Sequence, residues 1–165
     1  MCLKKSNKLV IDNKKLIPLC KEADEFVLLV ESKEYENSDI NSKLPLIVNS
    51  LFAIELYLKI LLLKYGETIP RIKSMGHNLK KLFDSLPNDL KDNIYNWVLA
   101  FYQKDVFKYI NKIKNDFVDL RYMYFENKLK DRDIKLISEI MYKLQNVVHI
   151  ELYGKDMYKE IHKKN

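Results

Sequence analysis

The sequence predicts an all-α protein, a single antiparallel bundle of five to six helices. Three observations carry this. Gly (3) and Pro (4) are scarce among the 165 residues, so punctuation is sparse and long helices are favoured over many turns. Apolar residues recur at helical spacing in segment after segment, and no stretch makes a convincing strand. The connections are short, which lays successive helices side by side in opposite directions. The length suits one domain with tails, and 47 % hydrophobic with 32 % charged residues is a globular balance. A basic N-terminal tail over 1–13 and a basic C-terminal tail over 154–165 flank a helical domain over 14–153.

The first helix carries Leu16, Leu19, Cys20, Ala23, Phe26, Val27 and Val30 on one stripe, with Asp12 or Asn13 as its cap. Pro18 is tolerable only in a first turn, so it argues for a start close by. The polar stretch SKEYENSDINSK follows as a loop. The second helix, about 43–65, is apolar nearly all round and ends at Gly66. Its length would span a bilayer. Glu55 and Lys59 lie in its middle, however, and charged residues there cost about 2.5–3.5 kcal/mol each at a bilayer centre. A central helix packed on several sides is the expectation, with no membrane association.

The stretch GHNLKKLFDSLP, 76–87, places Leu79, Leu82, Phe83 and Leu86 on one face of a short helix. Asn88 can cap a fourth helix bearing Leu90, Ile94, Trp97, Val98 and Phe101. After the break at YQKD, a fifth carries Val106, Ile110, Ile113, Phe117, Leu120 and Tyr124. The last, about 131–153, shows Ile137, Ile140, Leu144, Val147 and Val148 and stops at Gly154.

Charge and motif content narrow the functional classes. The net charge is +6, from 29 Lys and Arg against 23 Asp and Glu, which suits either a solubilising lysine surface or a nucleic-acid partner. Cys2 and Cys20 form no disulfide framework and lack metal-type spacing, consistent with a reducing cytoplasm, and Cys20 sits on the apolar stripe as a small core residue. The N-terminus has no apolar core of signal-peptide length. There is no HExxH, cysteine–histidine cluster, EF-hand loop, phosphate-binding glycine loop or serine-hydrolase elbow. No cofactor and no metal is expected.

Three places carry candidate chemistry. Glu55 and Lys59 form an i,i+4 pair amid leucines, so they read as a register-fixing ion pair or as a polar pocket or dimer seam. In FVDLRYMYFE, 117–126, Arg121 shares a helical face with Phe117 and Tyr124, while Tyr122 faces Glu126. That arginine either clamps a phosphate or stacks on a base, or it caps a buried carboxylate such as Glu55 while the tyrosines fill the core. His77 follows Gly76 at a helix start, where an imidazole holds a turn or, tuned by neighbours, transfers a proton. His149 and His162 read as solvated.

The succession AIELYLKILL (53–62), GHNLKKLFDSLP and FVDLRYMYFE resembles bacterial HEPN domains (higher eukaryotes and prokaryotes nucleotide-binding) over about residues 14–153. The resemblance implies a homodimeric helical bundle in toxin–antitoxin, abortive-infection or other anti-phage systems, with RNA and a cognate antitoxin or other protein as partners. It also implies a metal-independent endoribonuclease using Arg, four to six residues, then His. Here the motif is not intact. No histidine follows Arg121 at the required spacing, and Glu126 stands near that place. Arg71 and His77 do have the spacing, but between the second and third helices. Arg121, Glu126 and His77 are thus the catalytic candidates, beside a polar core or pocket of Glu55, Lys59, Tyr122 and Tyr124. The alternative is a non-catalytic helical module for dimerisation or protein binding.

Overall fold

The computed structural model describes residues 11–31, 43–122 and 133–154, the side chains of 121 and 122 excepted. Among the described residues every regular element is a helix: α1 (Asn13–Glu31), α2 (Leu44–Lys64), α3 (Ile69–Met75), α4 (Leu79–Asp84), α5 (Asn88–Tyr102), α6 (Val106–Ile113), α7 (Asp116–Tyr122) and α8 (Ile134–Tyr153). The all-α expectation holds at that level. The helix count among the described residues differs from five to six, and two causes account for it, one local and one tertiary.

The first is the short α3, for which periodicity gave no signal. Pro70 sits at its start, where a missing N–H costs nothing, and Gly76 closes it at φ 60°. The second is the fifth predicted helix, which breaks into α6 and α7. In an unbroken helix the Lys114 carbonyl would accept from Val118. Instead it accepts the N–H of Leu79 at 3.0 Å, and Val118 donates to the Asn115 carbonyl. Asn78 also donates to the Asn115 side chain at 3.0 Å. A tertiary contact with the start of α4 redirects the helix, and no local pattern reports it.

α2 is the hub. It packs against α1, α8, α4, α7 and α3. Its own residues are buried on one face at Ile47, Leu51, Ile54, Leu58 and Leu62 and on the opposite one at Ala53, Leu56 and Ile60. By length and composition it would cross a membrane, but 67 % of its apolar window is buried in the bundle, the setting of a core helix. Its end is a Schellman turn. Gly66, at φ 84°, donates to Leu63 O at 3.1 Å and Glu67 donates to Leu62 O at 2.9 Å.

α1 buries Leu16, Cys20, Ala23, Val27 and Val30, the predicted stripe. Asp12 caps it, its carboxylate accepting from Lys14 N–H at 3.0 Å. Pro18 lies inside the helix, one turn past the start and not within the first turn. It sits on the exposed side, so water can reach the Lys14 carbonyl that loses its donor. Asn88 belongs to α5 itself, with Pro87 at the cap position. α6 and α8 start under side-chain caps, Asp105 accepting from Lys108 N–H and Asp133 from Leu136 N–H.

Candidate functional site

Two polar constellations lie within this apolar frame. The first joins the middle of α2 to the turn between α3 and α4. Glu55 is 1 % exposed, at the centre of the hub helix. Lys59, one turn on, reaches back to its Oε1 at 2.6 Å. His77 approaches from the turn, with Nδ1 at 2.9 and 3.0 Å from the two carboxylate oxygens. A carboxylate only accepts, so the ring donates through Nδ1–H.

The turn is built to hold that ring. Gly76 adopts φ 60°, a conformation that side chains rarely take. Asn78 then caps α4 by accepting from Lys81 N–H at 2.9 Å, which fixes the backbone on the other side of His77. Phe117 of α7 packs against the imidazole at 5.3 Å between centroids and stacks in parallel on Phe52. Lys59 is 24 % exposed and His77 50 %, so a buried carboxylate orients an ammonium and an imidazole at the protein surface.

Of the predicted residues, Glu55, Lys59 and His77 are therefore brought together. Arg71 is not drawn into this corner; it pairs with Glu67 at 3.2 Å. Arg121 and Tyr122 lie on α7, Arg121 one turn after Phe117, but their side chains fall outside the described residues. Glu126 and Tyr124 also lie outside them.

The second constellation was not expected. Asp24 of α1 accepts from Tyr57 O–H of α2 at 2.6 Å and from Gln145 Nε2 of α8 at 3.0 Å. His149 of α8 donates through Nε2–H, 3.0 and 3.1 Å from the two Asp24 oxygens. Cys20, one turn before Asp24, has its sulfur 3.7 Å from Oδ2. The reading of His149 as solvated is wrong: it is 4 % exposed, turned inward beside Val148 and Leu152. Burial raises the Asp24 carboxyl, and the bonds from His149, Tyr57 and Gln145 outweigh it, holding the group below the ordinary carboxylate value. Burial, with the Asp24 charge adding to it, pushes the Cys20 thiol up to about 12, and the Tyr57 hydroxyl moves upward for the same reasons.

A signal for this second site existed in the sequence. Asp24 continues the spacing of Cys20, and Gln145 and His149 stand one helical turn apart among Leu144, Val148 and Leu152. Polar residues on or beside an apolar stripe must find partners, and three helices carrying them share this core. No family model, curated protein or solved structure matches this chain.

Proposed function

We propose that the chain is a HEPN-like component of a bacterial defence or stress system, of toxin–antitoxin or abortive-infection type, acting in the cytoplasm as a homodimer that associates with RNA. The family part of this reading draws on the three motifs in 53–62, 76–87 and 117–126. The observation that supports an RNA contact is the corner of Glu55, Lys59 and His77. There a buried carboxylate presents an ammonium and a half-exposed imidazole at one surface point. The ammonium donates hydrogen bonds to phosphate or ribose oxygens, the ring nitrogen not bonded to Glu55 accepts from a ribose hydroxyl, and the ring offers a face for stacking.

Binding, with a degenerate ribonuclease site, is the form of this activity that the residues favour. If cleavage occurs, His77 is the proton-transfer group and Arg121 the phosphate partner, with Glu126 a poor replacement because its charge repels phosphate. The test uses a labelled single-stranded RNA with the full chain, reading anisotropy for binding and a gel for cleavage. His77→Ala and Arg121→Ala should each weaken binding about tenfold, or 1.4 kcal/mol. Binding should fall steeply with salt and persist in chelator. A folded protein that binds no RNA at low salt refutes the reading.

The second reading is a non-catalytic dimerisation or protein-binding module. It is favoured by the closure of the corner within one chain, where both donors to Glu55 come from its own bundle. A stable dimer with no RNA affinity would select it.

A further inference from the structure

We propose that Cys20, Asp24 and His149 hold one transition-metal ion of the zinc class. The site shares no residue with the Glu55 corner, so it stands or falls apart from the RNA reading.

The donor set is the first ground. A thiolate, a carboxylate and an imidazole are the three side-chain types that bind Zn²⁺. Their ligand atoms all lie within 4.8 Å of one another, drawn from α1 and α8. Around a tetrahedral Zn²⁺, bond lengths of 2.0–2.3 Å put oxygen and nitrogen about 3.3 Å apart and oxygen and sulfur about 3.6 Å apart. Here Nε2 is 3.0–3.1 Å from the Asp24 oxygens, and Sγ is 3.7 Å from Oδ2. Sγ and Nε2 lie within 4.8 Å of each other, so the three ligand atoms stand close to the spacing an ion needs.

The second ground is the support around them. Metal ligands are oriented by outer hydrogen bonds. Asp24 is held by Tyr57 and Gln145. Tyr153 packs edge-to-face on the His149 ring. Gln145 Oε1 is buried with no hydrogen-bond partner among the described residues, an acceptor available to a water in the fourth coordination position. The Asp24 side chain is 27 % exposed, which leaves a way in for the ion and for that water.

Binding balances simply. The Cys20 thiol proton leaves to solvent and sulfur bonds the ion as thiolate. The proton on His149 Nε2 moves to Nδ1, which is buried without a partner among the described residues, and Nε2 gives its lone pair to the metal. Without the ion, the same residues form the closed hydrogen-bonded cluster described above.

The experiment is a Co²⁺ titration of the chelator-stripped full chain in a Cys2→Ser background, so that Cys20 is the one thiol. The expected result is a near-ultraviolet thiolate-to-cobalt band with visible bands of tetrahedral intensity, saturating at one ion per chain and bleached by Zn²⁺. Cys20→Ser should abolish the near-ultraviolet band, and His149→Gln should weaken Co²⁺ binding at least tenfold. Zn²⁺ should also raise the thermal midpoint of the Cys2→Ser protein. Absence of the thiolate band together with an unmoved midpoint overturns the proposal, and so does a band that survives Cys20→Ser. The Cys2→Ser readouts decide the matter even if the site variants fail to fold.

Discussion

Lys59→Met should destabilise this protein more than Glu55→Gln, although both break the same ion pair. The reason is the asymmetry of burial: Glu55 is 1 % exposed, whereas Lys59 is 24 % and His77 50 %. Removing Lys59 leaves a carboxylate in the core with His77 alone. Stranding a buried charge costs about 3–5 kcal/mol, and the remaining partner places the expected loss near 3 kcal/mol. Removing the charge on Glu55 strands no charge, because both donors turn to water and only the new amide N–H is left in the core. The lost charge-assisted bonds are partly offset by the desolvation no longer incurred, and the net loss should be about 1–2 kcal/mol. In Glu55→Met/Lys59→Met the pair disappears as a unit, and stability should return to within about 1 kcal/mol of wild type. Urea unfolding followed by circular dichroism gives all three values by linear extrapolation. For a chain of this size the Lys59→Met loss corresponds to a midpoint lowered by about 6–12 °C. If Glu55→Gln costs as much as Lys59→Met, or the double variant is the least stable of the three, burial asymmetry does not govern this corner.

Two further outcomes concern the Asp24 cluster. Tyr57→Phe removes one hydroxyl, 2.6 Å from a carboxylate, and leaves the ring in place; the expected loss is about 1.5–3 kcal/mol in the same urea assay. A loss below about 0.5 kcal/mol would show that the contact adds nothing to folding. Because the Asp24 carboxyl is held below its unfolded value, its contribution is full above about pH 4 and is lost as pH falls through the lower folded value. Asp24→Asn should therefore flatten that part of the acid limb of stability against pH, and an acid limb identical to wild type would contradict the assignment.

Local sequence was enough for much that depends on near neighbours along the chain, although it missed α3 and put the cap of α5 at Asn88 instead of Pro87. Helical hydrogen bonds run four residues back, so the apolar stripe of α1, the cap at Asp12 and the stop at Gly154 were legible locally. The Glu55–Lys59 pair was legible for the same reason, being one turn long. Which polar side chains face each other was settled only in three dimensions. Glu55 meets His77 across 22 positions, and Asp24 meets Tyr57, Gln145 and His149 across 33, 121 and 125. Hydrophobic burial drives helices together without specifying direction, and the rotation of each helix within the bundle sets which groups converge. The same physics broke the fifth predicted helix, where Leu79 takes the carbonyl of Lys114. It also turned His149, which looked solvated beside its neighbours in sequence, inward to a carboxylate on another helix.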